Sequence, residues 1–281
     1  MLLPKISIVS PSFNQGKFIE ANIRSVLDQK YPDVEHIIID GGSTDTTVEI
    51  LKQYPHLKWV SEPDRGQTHA LNKGFKMATG EIIGWLNSDD TYCPDVFHTI
   101  AEKFSNPNEM ILCGDGFETG EHDERLRPLR SRYCTPEILI QYWNWQYEFL
   151  QPSFFFRRKI FEEAGYLDES LHYVMDYEFF IRLGLRYQFH YLPMPIANLR
   201  LHGQSKTGTN VQKVIPGYIK EMHEVSRRFW GTPFEISFYR NVISFGGAVL
   251  FSILKNILFV PGSKSRMIFG KMFRRSSPGV K

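Results

Sequence analysis

Short apolar runs alternate with segments of helical periodicity through the first part of the chain. The apolar runs predict strands at residues 6–10, 36–40, 57–60 and 81–86. Apolar residues at helical spacing predict helices at about residues 18–27, 45–54, 68–77 and 94–104. Such alternation predicts an α/β fold, in which helices flank a Rossmann-like, mostly parallel central sheet.

The pattern changes after a further strand at residues 110–113. Residues 118–133 are rich in charge, which predicts an exposed excursion. Residues 143–158 are aromatic and strand-like, and predict either the wall of an acceptor pocket, together with Gln151, or hydrophobic core. A helix at 176–183, an antiparallel-looking run at 187–201 and a polar loop at 203–210 follow.

Candidate binding residues stand where three of the predicted strands end. They are Ser10, Pro11, Ser12, Asp40, Asn87, Ser88, Asp89 and Asp90. Parallel strands bring these ends to one edge of the sheet, where open α/β folds bind ligands. Adjacent carboxylates repel unless a cation lies between them, so Asp89 and Asp90 predict a divalent metal that also takes phosphate oxygens, and Asn87 can add a neutral oxygen. Helix capping ahead of Pro94 is the alternative for these acids.

Asp40 has two interpretations of its own. A carboxylate accepts hydrogen bonds, so Asp40 can bind a nucleobase imide or a ribose hydroxyl. It can equally cap the turn at residues 41–44.

Composition excludes some partners and compartments. The net charge of +2 argues against a nucleic-acid binder. Cys93, Cys113 and Cys134 lack metal-site or paired spacing, which predicts buried thiols in a reducing compartment. The first residues do not have the pattern of a signal peptide, so we expect the catalytic part in the cytoplasm.

The last part of the chain is cationic. No acid follows Glu235, whereas eight Lys and Arg residues do. Residues 242–260 are apolar but interrupted by Lys255 and Asn256, short of the ~20 apolar residues that a spanning helix needs. The segment predicts either an interfacial helix in peripheral contact with an anionic membrane or a helix that packs on the catalytic domain.

Several ordered motifs resemble the family 2 glycosyltransferases of GT-A fold. They are residues 9–14 (VSPSFN), 39–45 (IDGGSTD), 72–74 (NKG), 78–81 (ATGE) and 86–90 (LNSDD). The resemblance implies an inverting transferase that uses a nucleotide-diphosphate sugar, here a UDP-sugar, and Mn²⁺ or Mg²⁺. It also implies a glycan or lipid-linked acceptor in polysaccharide biosynthesis.

The same resemblance implies roles for residues of the donor and metal sites. Asp40 matches the residue that contacts the base. Residues 87–89 match the DxD motif, with Asn87 in place of its first acid, which leaves open whether Asp89 alone or Asp89 with Asp90 binds the metal. His202 matches a metal ligand and Lys206 a diphosphate contact, the alternative for His202 being polar surface.

Further residues are implied for the donor side, the catalytic base and the domain boundaries. Asp64, Arg65, Asn72 and Lys73 are expected to line the donor site. Asp176 matches the catalytic carboxylate, chosen over Glu178, with helix capping as its alternative. The implied GT-A domain spans residues 1–210, with a nucleotide-sugar-binding half (1–115) and an acceptor-binding half with the catalytic base (116–210). A helical, basic C-terminal extension (211–281) follows.

Other functions are weaker matches to the residues. A nucleotidyltransferase would need a Gly-rich basic loop after the first strand, where residues 11–17 offer only Gly16 and Lys17. A dehydrogenase would need a GxGxxG motif, which follows no predicted strand. A module that binds nucleotide sugars without turnover remains an alternative.

Overall fold

The first four strands form the parallel half of the sheet. The computed structural model describes residues 3–131, 134–144, 149–203, 205, 211–231 and 235–258. At residues 144, 211–216 and 251–258 it describes the backbone only. Strand β1 (Ile6–Ser12) pairs in parallel with β2 (Val34–Asp40) and β4 (Ile82–Trp85), and β2 pairs in parallel with β3 (Lys58–Ser61). Strands β1 and β4 are buried throughout, which explains their continuous apolar sequence.

Helices connect these strands, as the periodicity predicted. They are α1 (Ile19–Leu27), α2 (Thr47–Leu51) and α3 (Gln67–Met77), and a further helix, α4 (Val96–Phe104), comes after β4. Helix α2 is shorter than the predicted 45–54 because Asp45 remains outside it. The Asp45 carboxylate accepts hydrogen bonds from the backbone N–H (3.0 Å) and hydroxyl (2.5 Å) of Thr47.

The second half of the sheet is mixed. Its strands are β5 (Thr91–Tyr92), β6 (Ile111–Thr119), β7 (Arg125–Leu129), β8 (Phe155–Arg157) and β9 (Phe189–Arg200). Among the described residues the strand order is β3-β2-β1-β4-β8-β6-β9-β5, with β7 paired to β6 outside this order.

Three predictions for this half are corrected. The prediction of an antiparallel run at 187–201 is wrong for most of its length, because β9 is parallel to β6 and antiparallel only to the short β5. The charged segment at 118–133 is not merely an excursion, since β7 pairs antiparallel with β6. Of the aromatic block, only β8 is a strand, preceded by a 3₁₀ turn at Gln151–Ser153. Trp145 and Tyr147 lie outside the described residues.

The aromatic block supplies the hydrophobic core. Phe154, Phe155 and Phe156 are each 0% exposed. Phe154 packs against Phe180 with ring centroids 4.3 Å apart, and Phe156 packs against Phe179 at 5.6 Å. The core alternative therefore holds for these three residues, and they do not form a wall facing an acceptor. The three cysteines are buried and unpaired, as expected.

Three shorter helices lie between β7 and β9 along the chain, one before β8 and two after it. They are α5 (Pro136–Ile140), α6 (Lys159–Ala164) and α7 (Met175–Gly184). Two longer helices come last, α8 (Val211–Arg228) and α9 (Ile236–Leu258).

The chain divides into two compact units. The first consists of Met1–Tyr142 and Gln146–Phe229, and the second of Trp143–Trp145 and Trp230–Lys281. Helix α8 thus belongs to the first unit, whereas the expected domain boundary lay before it, at residue 210. In the second unit, the Trp143 ring lies 5.7 Å from that of Trp230 and 5.2 Å from that of Phe245.

The described helices include none with the length and apolar character needed to cross a bilayer. The basic residues from Lys264 onward, and Lys206 in the predicted polar loop, lie outside the described residues.

Candidate active site

The ends of β1, β2 and β4 meet at one edge of the sheet, as the sequence predicted. Ser12 is opposite Asp40 in the register of β1 and β2. On the other side of β1, the Leu86 N–H donates to the Val9 carbonyl at 3.1 Å, and the Ser88 hydroxyl donates to the Pro11 carbonyl. Three strand ends separated by up to eighty residues in sequence therefore share one edge.

Asp40 is fully buried and makes the contacts of a turn cap. Its carboxylate accepts hydrogen bonds from the Ser43 hydroxyl (2.5 Å), the Ser61 hydroxyl (2.6 Å) and the backbone N–H groups of Ser43 (2.9 Å) and Gly42 (3.2 Å). Three of these bonds end on Oδ2 and one on Oδ1, so Oδ1 keeps the capacity to accept a further bond. Turn capping accounts for the bonds from Gly42 and Ser43, and the bond from Ser61 ties Asp40 to β3. Contact with a base stays a prediction.

The residues at the end of β1 differ in their access to a ligand. Ser10 is buried, and its hydroxyl lies 2.9 Å from Nε2 of His36. The Pro11 carbonyl is occupied by Ser88. Among the described residues, the buried Ser12 hydroxyl has no hydrogen-bond partner. Because buried polar atoms are nearly always paired, Ser12 is the residue of this group best suited to meet a ligand.

Asn87 is the centre of a hydrogen-bond network. Its Oδ1 accepts from the Trp85 indole N–H (2.9 Å) and from Gln67 Nε2 (2.9 Å). Its Nδ2 donates to Asp90 Oδ2 (3.1 Å) and to Gln151 Oε1 (3.0 Å). An indole nitrogen only donates, which identifies the Asn87 atom facing it as the oxygen. Both ends of the amide are therefore used within the protein, and Asn87 organises the edge rather than offering an oxygen to a cation.

Asp90 is turned into the protein. It is 1% exposed, and its Oδ1 accepts from the Arg200 backbone N–H at 2.9 Å while Oδ2 accepts from Asn87. Burial and the neighbouring charge of Asp89 raise the pKa of Asp90 well above its usual value, although the hydrogen bonds from Arg200 and Asn87 oppose this. These contacts favour Asp89, of the two acids, as the one that faces a ligand.

Asp89 lies against His202, which is 113 residues later in the chain. His202 Nε2 is 2.9 Å from Asp89 Oδ2, and the Arg200 side chain holds the Asp89 carbonyl with Nε at 2.8 Å. The Phe18 ring packs on the imidazole with centroids 4.3 Å apart. The Asp89 side chain keeps 19% of its surface exposed, whereas the His202 side chain keeps 2%. The end of β9 thus carries a buried imidazole to the acid that follows β4.

This pair fits a divalent cation as two of its ligands. Carboxylate oxygen and imidazole nitrogen both suit Mn²⁺. Two neighbouring ligands of an octahedral ion with bonds of ~2.1 Å lie about 3 Å apart, close to the observed separation. In the described part of the chain, no group of three or more His, Cys, Asp or Glu residues could hold a metal ion. Substrate oxygens would have to complete the coordination.

The two acids at the start of α7 have different environments. Glu178 is buried and accepts from Arg182 Nε and Nη2, both at 2.8 Å. The same guanidinium donates to the Tyr166 carbonyl at 2.8 Å, so the pair joins α7 to the preceding segment. Asp176 is half-buried, and its Oδ1 accepts from the Tyr177 N–H at 2.8 Å. The choice of Asp176 agrees with the structural use of Glu178, and its catalytic role stays a prediction.

A pocket of about 200 Å³ lies between the start of α3 and the start of α7. Its lining residues are Arg65, Gly66, Gln67, Thr68, His69, Glu169, Ser170, Leu171, His172 and Met175. Gln67 also bonds to Asn87, and Met175 precedes Asp176 directly. The pocket therefore lies beside the Asn87 network and at the start of α7, the helix that carries Asp176.

The residues expected on the donor side are placed differently from one another. Arg65 lines the pocket and pairs with Glu169 at 2.6 Å. Asn72 is buried, exchanges two hydrogen bonds of 3.0 Å with the Leu167 backbone, and thus serves as a structural tie. Lys73 pairs with Glu62. Asp64 accepts from the Gly66 N–H at 2.7 Å, which shapes the turn before α3.

The contribution of the loop that follows α6 to this pocket was not anticipated from the sequence. Glu169 and His172 come from residues 165–174, the loop between α6 and α7. No motif or periodicity marks them, because only long-range contacts bring this loop to α3.

The sequence of this chain is similar to that of a known protein family. Residues 7–165 match the family model described as glycosyl transferase family 2. An uncharacterised glycosyltransferase of Rickettsia typhi is 26% identical over 220 residues, which cover 75% of this chain and 68% of the relative.

Two solved proteins share the fold. S. aureus TarS superposes with a TM-score of 0.63 at 17% identity, covering 87% of this chain and 43% of TarS. TarS 1–349 has also been solved in complex with UDP-GlcNAc. The mannosyltransferase PcManGT from Pyrobaculum calidifontis, in complex with GDP-Man and Mn²⁺, gives a TM-score of 0.62 at 17% identity and covers 98% of this chain and 81% of its own.

These likenesses confirm the GT-A-like α/β fold, and the family match covers more than half of the chain, including the strand ends that form the edge described above. The protein therefore belongs to glycosyltransferase family 2.

Proposed function

We propose that this glycosyltransferase transfers a sugar, with inversion, from a nucleotide-diphosphate sugar to a glycan or lipid-linked acceptor in polysaccharide biosynthesis. The observation that carries the proposal is the Asp89–His202 pair, 2.9 Å apart at the edge where the strands end. One carboxylate and one imidazole suit a cation whose other ligands come from a diphosphate.

The donor is a UDP-sugar bound along this edge. Asp40 lies at the end of β2, on the side of the edge where the base binds, and the exposed part of Asp89 faces the diphosphate. The structures of TarS with UDP-GlcNAc and of PcManGT with GDP-Man support a nucleotide-diphosphate sugar as the donor class. When bound to Asp89 and His202, Mn²⁺ or Mg²⁺ supplies positive charge that stabilises the departing diphosphate.

Asp176 is the base. An acceptor hydroxyl that attacks the anomeric carbon from the face opposite the diphosphate must lose its proton, and a carboxylate within hydrogen-bond reach accepts it. Asp176 suits this role because it lies at the start of α7, next to the pocket residue Met175. Glu178, two residues on, is held by Arg182.

The experiment is a donor screen with a matched pair of variants. Wild type, Asp176→Asn and Glu102→Gln, which changes an exposed acid on α4, are incubated with UDP- or GDP-sugars, Mn²⁺ and a panel of glycan and lipid-linked saccharide acceptors. The products are identified by mass spectrometry. We expect transfer from a UDP-sugar by wild type and Glu102→Gln, and loss of at least about 100-fold in Asp176→Asn with an unchanged melting temperature. Metal-dependent nucleotide binding without turnover in wild type would favour a binding module instead.

We also propose that the enzyme works in the cytoplasm and contacts an anionic membrane peripherally through α9. Ile236 (88% exposed), Tyr239 (54%), Ile243 (73%) and Leu250 (57%) follow one another at helical spacing on α9. The segment from Ile236 onward carries no acid, so both apolar and electrostatic attraction favour anionic headgroups.

Vesicle sedimentation tests this contact. We expect the wild type to sediment with anionic vesicles, and the double variant Ile243→Glu with Leu250→Glu to remain in the supernatant at equal melting temperature. Equal partitioning of the two proteins would refute the membrane contact.

A further inference from the structure

Residues 165–174, which we name the α6–α7 loop, connect the donor-side helix α3 to the start of α7. The loop is tied to α3 by hydrogen bonds of Leu167 with Asn72 at 3.0 Å, and of the Leu171 carbonyl with the Thr68 hydroxyl at 3.3 Å. It supplies Glu169 and His172 to the pocket and ends one residue before Met175. Its position therefore sets the position of Asp176.

Glu221 of α8 holds the end of this loop. Its carboxylate accepts hydrogen bonds from three successive backbone N–H groups, those of His172 (3.1 and 3.2 Å), Tyr173 (2.7 Å) and Val174 (3.3 Å). Val174, the N-cap residue of α7, has an apolar side chain and cannot cap the helix itself. A carboxylate bound by several N–H groups at a helix start is favoured by charge-assisted hydrogen bonds and by the helix dipole.

Two more contacts join the same face of α8 to the loop. A Cβ added at Gly217 would lie 2.9 Å from the Tyr173 ring, so α8 approaches the loop closely there. Arg228 donates to Asp168 at 2.8 Å. Residues 217, 221 and 228 are spaced i, i+4 and i+11, which places them on one face of a helix. Helix α8 thus contacts the loop at Asp168 and at residues 172–174.

We propose that Glu221 is a positioning residue for Asp176: by binding the N–H groups of residues 172–174, it fixes the start of α7 and the adjoining pocket wall for catalysis. This inference rests on the proposed function, in which Asp176 is the base. It gives α8 a role in catalysis. The sequence motifs do not indicate this role, and the family match ends at residue 165, before α8. Loss of the carboxylate frees three N–H groups and lets the loop move, and displacements of about 1 Å can slow a reaction on the order of 100-fold.

The test compares Glu221→Ala and Glu221→Gln with Glu224→Gln in the full-length chain. Glu224 is an exposed acid on the same helix, and its carboxylate lies 3.9 Å from the Lys220 ammonium. The measurements are kcat and the KM for the donor in the transfer assay, and amide hydrogen exchange by mass spectrometry. Exchange needs no substrate, so it tests the loop even where no donor has been found.

We expect kcat to fall about 10- to 100-fold in Glu221→Ala and less in Glu221→Gln, whose side-chain oxygen still accepts one bond, with the donor KM within about two-fold of wild type. Exchange should rise at least about 10-fold at residues 172–178 and remain unchanged in β1 and β4. Glu224→Gln should match wild type in both measurements.

The opposite results are equally clear. Wild-type kcat and wild-type exchange at residues 172–178 in a folded Glu221→Ala would overturn the inference, as would faster exchange there with unchanged kcat, which indicates stability alone. If Glu221→Ala does not fold, Glu221→Gln decides by the same two measurements. Absence of turnover in the wild type with every donor would instead refute the proposed function. Amide hydrogen exchange would still test whether Glu221 holds the α6–α7 loop.

Discussion

Restoring the first acid of the DxD motif, by Asn87→Asp, should destabilise this protein. In the wild type, Asn87 Nδ2 donates to the buried Asp90 Oδ2 at 3.1 Å and to Gln151 Oε1 at 3.0 Å. A carboxylate at position 87 has no proton to donate and faces both acceptors. Two full charges 3.1 Å apart repel by about 5 kcal/mol at an effective dielectric constant of ~20. We expect the free energy of unfolding to fall by about 2–5 kcal/mol at pH 8.

The loss should depend on pH with a definite sign. Two buried carboxyl groups in contact share a proton, so the pKa of the pair is raised in the folded state above the ordinary value of ~3.9. The folded state then binds more protons than the unfolded state, and stability falls as pH rises from the unfolded pKa through the folded one. The variant should therefore approach wild-type stability near pH 5 and depart from it toward pH 8.

Urea unfolding at pH 5, 6.5 and 8 measures this difference. The matched control is Asn106→Asp, which adds the same charge at an exposed position whose side-chain oxygen can still accept from the Asn108 N–H. It should change stability by no more than ~0.5 kcal/mol at each pH. If Asn87→Asp were as stable as wild type at pH 8, or destabilised equally at all three pH values, the described network around Asn87 would be wrong.

Two further predictions concern stability. Phe156→Ala should lower the free energy of unfolding by ~3–5 kcal/mol because the Phe156 ring is fully buried. Phe13→Ala, which changes a side chain that is 60% exposed, should lower it by less than ~0.5 kcal/mol. Equal losses of stability in urea unfolding would contradict the assigned core. Burial would raise the pKa of Glu35, but hydrogen bonds from Lys58, Ser7 and Thr79 outweigh it and hold the pKa well below the usual range. The stability that Glu35 contributes is therefore present above its unfolded pKa of ~4.3 and lost as pH falls below it. The free energy of unfolding of Glu35→Gln should lie below that of wild type at pH 6, and this difference should shrink by pH 3. A difference that grows on acidification would show the sign to be wrong.

Much of the parallel half of the fold could be predicted because its determinants are local. Strands β1, β2 and β4 are buried, and their continuous apolar runs are distinctive in sequence. The meeting of their ends follows from parallel pairing alone. The direction of β9 could not be predicted in this way. An alternating run has the same pattern in a parallel or an antiparallel pair, and β9 has one neighbour of each kind.

The candidate site was predictable in location but less so in the use of each side chain. Asp89 and His202 came from motifs, and the structure brings them together. The function of Asn87 depends on Gln67 and Gln151, which are 20 and 64 residues away, and no local pattern reports such partners. The same holds for Glu221, whose partners in the α6–α7 loop lie 47 to 49 residues earlier.

The location of a bound manganese ion tests the central claim most directly. Crystals of the protein grown with Mn²⁺ and a UDP-sugar would be measured at a wavelength where manganese scatters anomalously. The account predicts one strong anomalous peak within about 2.3 Å of both Asp89 Oδ2 and His202 Nε2, with the diphosphate beside it at the ends of β1 and β4. A manganese peak away from this pair, or a nucleotide bound elsewhere on the protein, would contradict the account.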